Sequence, residues 1–170
     1  MNLSDYPRIA VIGCSGSGKS TLARQIAEKT GHPVIHLDYE FWQPGWVLMP
    51  REEFLAKQQE WVQGERWIID GFYGGSLELR YAAADLVIYL HLSRWLCLWR
   101  VLRRHGRRRP DLRPDVIEGS LFTKDALQFF WSILRKRRQH LRRISTLREK
   151  YPGVEFVRLH SRKAVRGLIK

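Results

Sequence analysis

Gly13-Cys14-Ser15-Gly16-Ser17-Gly18-Lys19-Ser20 is the stretch that decides how this chain reads. The apolar run Arg8-Ile9-Ala10-Val11-Ile12 precedes it and reads as a buried strand. Leu22, Ala23, Ile26 and Ala27 follow at helical spacing, and Gly31 stops that helix. The octapeptide fits GxxxxGK[ST] at every fixed position, in the strand–turn–helix context the pattern needs. Its glycines let the backbone curl so that several N–H groups face inward toward phosphate oxygens. The helix that opens there adds its positive end. Gly13, Ser15, Gly16, Ser17, Gly18, Lys19, Ser20 and Thr21 are therefore the expected phosphate-binding residues. Lys19 can reach the β- and γ-phosphates, and Ser20 can bind Mg²⁺. The ligand predicted is a nucleoside triphosphate, ATP with magnesium. A glycine-rich turn of purely structural purpose leaves the Lys-Ser pair unexplained.

Working outward, strands alternate with helices along the whole chain. Residues 33–37, 67–69, 86–90 and 154–159 read as further strands, and 51–63, 93–104, 123–150 and the segment after Ser161 as helices. Residues 39–50 and the Gly/Pro/Arg-rich 105–120 read as loops. The alternation predicts a three-layer α/β/α fold around a five-stranded parallel sheet, in a single domain spanning 1–170. Ligands in such sheets bind at the carboxyl ends of the strands. Gly13, Asp38 and Asp70 all follow strands, so they should converge on that edge.

Asp70 closes the apolar strand Trp67–Ile69, where a carboxylate can hold magnesium or its waters. Asp38 closes the second strand and could take a proton from a substrate hydroxyl. A helix-cap or loop role is open for both. Arg100 and Arg104 lie four apart on one helix face. Arg107, Arg108 and Arg109 follow Gly106 in a segment suited to a short closing lid, where arginines would neutralise a transferring phosphoryl group. The stripe Leu127, Phe130/Trp131, Leu134, Leu141, Ile144 misses a step at Arg137/Arg138. An arginine there must find an anion or snorkel; one of the pair, taken as Arg138, is read as lining the cleft. Arg135 is a further candidate. Trp42 and Trp46 either wall a substrate pocket or cover the core. Cys14 is a small spacer whose thiol, near a helix N-terminus, could be acidic and oxidisable. His36, His91 and His160 are given no role.

Composition sets the outer bounds. The 170 residues are 44% hydrophobic and 12% aromatic, a globular composition. No apolar run is long enough to span a membrane, and MNLSDYPRIAVIG has no basic region or cleavage site, so neither a span nor a leader is expected. Cys14 and Cys97 form no CxxC pair, which argues against a metal site or a disulfide framework and fits a reducing cytoplasm. The net charge of +13 is unevenly spread: residues 1–90 carry 8 Lys/Arg against 11 Asp/Glu, and residues 91–150 carry 17 against 5. Three readings compete for that basic half: a surface for nucleic acid, arginines around a triphosphate and a second anionic substrate, and a solvated basic helical face.

Taken together, the segments 12–31, 33–46, 66–90, 93–104 and 158–169 resemble the adenylate-kinase-like P-loop proteins, most closely the bacterial group named topology modulation proteins. The resemblance implies a sheet of the nucleoside-monophosphate-kinase type. It implies that Asp70-Gly71 is the Asp-Gly motif of those kinases. Arg100 and Arg104 would lie against the adenine and the phosphates, and His160 to Lys163, Arg162 among them, would meet the adenine ring. Arg80 would grip the phosphate of the acceptor. The activity implied is phosphoryl transfer from ATP to a small-molecule or nucleotide acceptor. The alternative is an ATP-regulated, nucleic-acid-associated protein that influences DNA topology.

Overall fold

A computed structural model describes residues 1–43, 47–104, 131 and 134–169, for Arg104 the backbone alone. The expected lid at 105–120 with Arg107, Arg108 and Arg109, the start of the long helix at 123–130, the side chain of Arg104 and Trp46 lie outside the described residues.

The five strands of the central sheet are β1 (Arg8–Gly13), β2 (Val34–His36), β5 (Trp67–Asp70), β6 (Leu86–Leu90) and β7 (Glu155–Leu159). Their order is β2-β5-β1-β6-β7, and every neighbouring pair is parallel. Around them run α1 (Lys19–Thr30), α3 (Arg51–Trp61), α4 (Leu77–Ala83), α5 (Arg94–Arg104), α6 (Arg137–Lys150) and α7 (Arg162–Ile169). Ser161 caps α7, its Oγ accepting the Ala164 N–H at 3.1 Å.

The period of two in the strands explains the layers. Ala10, Ile12, Trp67, Ile69, Val87 and Tyr89 face one side, where they pack with Phe54, Leu77, Tyr81, Ile144 and Leu147 from α3, α4 and α6. Ile9, Val11, Ile68, Leu86, Ile88 and Leu90 face the other, against Leu22, Ala23 and Ile26 of α1 and Val165 and Leu168 of α7. Both faces are covered, so the inner strands β1, β5 and β6 are almost continuously apolar between them. Leu92, Cys97 and Val101 make a smaller cluster between α5 and the turn after β1, against which Cys14 packs.

The second strand is shorter than its apolar run suggests. It ends at His36, and the chain turns at once into a short helix, α2 (Leu37–Phe41). Leu37 is buried beneath β5, which fixes this turn. Asp38 therefore stands in the first turn of a helix rather than at the tip of a strand. The expected loop at 39–50 contains a small antiparallel pair, β3 (Trp42–Gln43) with β4 (Val47–Leu48), in register Trp42↔Leu48. The expected long helix is interrupted: Leu134 and Arg135 are helical, Lys136 is a turn, and α6 runs on from Arg137.

Candidate active site

The turn between β1 and α1 has the backbone its glycines require. Gly16 and Gly18 have φ of 78° and 92°, in the left-handed region that L side chains avoid. Gly18 is the N-cap of α1 and supplies no side chain, so the first-turn N–H groups keep their capacity to bond an anion. Lys19 opens the helix and is buried against the loop. Ser17 is buried as well, and its Oγ finds no hydrogen-bond partner among the described residues. An orphaned hydroxyl in a cradle of N–H donors suits a phosphate oxygen. Thr21 is exposed, and Ser15 is half-buried on the loop.

Asp70, the last residue of β5, is buried at the mouth of this loop. Its Oδ2 accepts the Ser20 hydroxyl at 2.7 Å. Its Oδ1 is bonded to His36 Nδ1. Ser20 and Asp70 thus present adjacent hard oxygens, the donor type that suits Mg²⁺. His36, which had no expected role, is the residue that sits beside Asp70 in the register of β2 with β5. That register is set by how the two strands align, which no local motif records.

Asp38 joins the same edge through a different partner. Tyr73 donates its hydroxyl to Asp38 Oδ1 at 2.8 Å. Burial, then the charge of Asp38, raise the Tyr73 phenol, so it remains a donor. The backbone is contorted to achieve this: Gly71 has φ of 139° and Tyr73 has φ of 30°. A Cβ on Gly71 would stand 2.9 Å from the side chain of Leu37. Three consecutive residues therefore meet three partners: His36 on Asp70, Leu37 under Gly71, Asp38 on Tyr73.

The fourth wall is α5. Arg100 Nη1 donates to Gly16 O and Ser17 O, both at 3.2 Å, so this arginine braces the glycine-rich loop from outside. Arg162, exposed at the start of α7, lies close enough for its charge to lower the Arg100 guanidinium, after burial, the larger cause. Of Arg137 and Arg138, the structure turns Arg137 toward the cleft and leaves Arg138 exposed. One helical position, about 100° of rotation, separates the two. Arg137 bonds His91 Nε2 at a small pocket lined by Cys14, Tyr89, His91, Arg94, Arg137 and His140. Arg135 is exposed and lies over the ring of Trp131 at 4.7 Å.

Arg80 corrects an expectation. It is fully buried (0% exposed) rather than open to an acceptor. Its Nη1 bonds Gln58 Oε1 and Ser76 Oγ, and its Nη2 donates to Phe72 O at 2.9 Å and Gly71 O at 3.3 Å. These bonds hold the 71–73 turn from below. Burial lowers the guanidinium to about 9. The carbonyls it ties down are those of the turn that carries Tyr73.

Two histidines give the site edge a pH dependence. Burial, then Arg137, holds His91 down to about 4, and burial, then Lys136, does the same to His140. The unfolded chain therefore takes up these protons first. Stability should be full above pH 6.5 and fall as the pH drops toward about 4. Denaturant unfolding at pH 7 and at pH 5 should show the loss, and replacing His140 by Gln should remove its share, leaving that of His91.

The chain matches no protein-family model and no curated protein sequence. Solved structures do match it. A shikimate kinase from Acinetobacter baumannii, solved with shikimate, is 19% identical, with a TM-score of 0.62 over 98% of this chain and 90% of that one. A shikimate kinase from Bacteroides thetaiotaomicron gives 18% and 0.56, over 96% and 94%. A gluconokinase from Sinorhizobium meliloti gives 21% and 0.52, over 95% and 86%. The chain thus has the three-layer fold of the small P-loop kinases, as its strand–helix alternation predicts.

Proposed function

We propose that this chain is a kinase that moves the γ-phosphate of ATP to a hydroxyl group of a small molecule. The observation that carries the reading is the convergence, at one sheet edge, of the glycine-curled loop, the Ser20–Asp70 pair and the Asp38 carboxylate held by Tyr73. The names of the structural neighbours, shikimate kinase and gluconokinase, support a small hydroxylated acceptor over a nucleotide.

The roles follow from the positions. Loop N–H groups and Lys19 bind the β- and γ-phosphates. Ser20 and Asp70 would hold Mg²⁺, which when bound neutralises charge on the phosphates. Asp38 takes the proton from the acceptor hydroxyl. Arg100 fixes the loop, and Arg162 closes the nucleotide side; the same role is expected of Arg104, whose side chain lies outside the described residues. Arg137 takes the cleft-lining role first given to Arg138. A cytoplasmic location accords with this chemistry, and no described helix is long and apolar enough to cross a membrane.

The excess of Lys/Arg over Asp/Glu in residues 91–150, 17 against 5, motivates the second reading, in which the basic half meets nucleic acid. The gathering of Arg100, Arg137 and Arg162 about the loop supports the kinase instead. Duplex DNA binding that falls steeply with salt would favour the second reading.

The test is an acceptor screen with γ-labelled ATP over sugars, hydroxy acids and nucleosides. Lys19→Ala should weaken Mg·ATP binding at least about 100-fold by calorimetry without moving the melting temperature. Asp38→Asn should keep the ATP affinity and lose about 10²–10⁴ in kcat on the identified acceptor. A wild-type chain that binds no ATP would end the proposal.

A further inference from the structure

The phosphate loop contains a thiol that the phosphoryl chemistry does not use. Cys14 lies between Gly13 and Ser15, half-buried and lining the pocket beside His91. The second cysteine of the chain, Cys97, lies on α5, fully buried in the same small cluster with Leu92 and Val101. The two cysteines are neighbours: Cys14 packs against the small cluster that holds Cys97, and each thiol shifts the titration of the other. Both thiols are free.

The two elements that carry them are already fastened at close range. A Cβ on Gly16 would stand 2.2 Å from the Cys97 carbonyl oxygen and 3.0 Å from Val101. Arg100, one turn along, bonds the Gly16 and Ser17 carbonyls. The loop and α5 therefore approach each other with little slack, and the cysteines face across the seam. The thiols also differ in reactivity. The hydrogen bond from Cys97, then the charges of Lys19 and Arg137 acting against burial, bring Cys14 down to about 7. The bond to Cys14, burial and the Cys14 charge push Cys97 up. Cys14 is the accessible nucleophile and Cys97 the buried resolving partner, the pairing that redox-sensing cysteines use.

We infer that Cys14 and Cys97 form a reversible disulfide under peroxide, and that this bond closes the phosphate loop to nucleotide. The Cys14 thiolate attacks the O–O bond of a peroxide: an S–O bond forms, the O–O bond breaks, and water leaves once the departing hydroxide is protonated. Cys97 then attacks the sulfenic sulfur as its proton passes to the departing hydroxide: the S–S bond forms, the S–O bond breaks, and a second water leaves. Two thiols are oxidised by two electrons and one peroxide is reduced to two waters. A thiol reductant reverses the reaction by exchange. The bond pulls the sulfurs to about 2.05 Å, so the loop at residue 14 must move toward α5. The N–H cage built on Gly16 and Gly18 moves with it and loses its fit to the phosphates.

Linkage adds a second signature. If the disulfide weakens Mg·ATP binding about tenfold, saturating Mg·ATP must disfavour the disulfide by the same factor. This arm rests on the nucleotide reading; the thiol chemistry does not.

The experiment treats the full chain with hydrogen peroxide, with and without a non-hydrolysable Mg·ATP analogue. It reads the thiol state by intact mass and non-reducing peptide mapping. The expected product is lighter by two hydrogens and yields a Cys14–Cys97 cross-linked peptide. It binds the analogue at least about tenfold more weakly and recovers with dithiothreitol, and in a thiol–disulfide redox buffer the cross-linked fraction at equilibrium falls when the analogue is saturating. Cys97→Ser should stop at a dimedone-trappable sulfenic acid on Cys14, and Cys14→Ser should leave Cys97 unreacted. Sulfinic acid on Cys14 with Cys97 still a thiol, or disulfides between chains, would overturn the pairing. A cross-linked chain with unchanged affinity for the analogue would overturn the closure. Reduced wild-type chain that fails to bind the analogue would instead count against the nucleotide reading, with the cross-link still decided by mass.

Discussion

Gly16→Ala should abolish Mg·ATP binding and destabilise the chain far more than Gly31→Ala. The two glycines have nearly the same backbone angle, φ of 78° and 73°. Forcing an alanine into that region costs about 1–2 kcal/mol at either site. They differ in what a Cβ would meet. Beside Gly31, the C-cap of α1, there is nothing within 4 Å. Beside Gly16 the Cys97 carbonyl oxygen stands at 2.2 Å. That oxygen belongs to the backbone of α5 and cannot swing aside. The loop or the helix must shift by more than an ångström, and Arg100 loses its hold on Gly16 O and Ser17 O when it does. Gly31→Ala should cost only the strain and leave the nucleotide affinity as it was. Gly16→Ala should cost at least about 2 kcal/mol beyond that strain, in the range of overpacked cores, and lose ATP binding by about 100-fold or more. Urea unfolding and calorimetric titration of the two variants make the comparison.

Arg80→Met should remove about 3 kcal/mol of stability, through orphaned acceptors rather than a lost charge. The guanidinium is wholly buried and serves Gln58, Ser76, Gly71 and Phe72. Methionine has comparable length but no donor. The Gly71 and Phe72 carbonyls would be left without the bond that compensates their burial. Removing a buried charge relieves some desolvation, which keeps the figure below the sum of the individual bonds. The midpoint of urea unfolding reads the effect. A variant that folds as firmly as wild type and fails only to bind an acceptor would show that Arg80 meets substrate after all.

Most of the fold is written in local pattern. The three inner strands, β5, β1 and β6, are short apolar runs, and the glycine spacing between β1 and α1 specifies a turn with two left-handed positions. The placement of the candidate site is legible where it depends on a residue's own neighbours in sequence, as for Lys19 and Ser20 at the start of α1 and Asp70 at the end of β5. It is illegible where the role depends on alignment. His36 meets Asp70 because β2 pairs with β5 in one register, and a slip of one residue would turn it to the other face. Arg137 rather than Arg138 faces the cleft through the rotation of α6 about its axis, which an interrupted apolar stripe locates only to within a residue. Arg80 is buried because Gln58, on a different helix, lies ready to receive it. The sequence pattern of an arginine near an Asp-Gly pair suits a substrate ligand equally well.

The pairing of His36, Leu37 and Asp38 with Asp70, Gly71 and Tyr73 has a bearing on how this protein could change its substrate. Two segments more than thirty residues apart in the chain behave as the halves of a zip. A side chain at 38 without an acceptor leaves the Tyr73 hydroxyl, in its contorted backbone, without this bond; a new residue at Gly71 displaces Leu37 and both neighbours with it. Single replacements in either half should therefore look worse than they are, and their effects should not add. Drift toward another acceptor, or a transplant of this edge onto a related scaffold, would have to move both halves together.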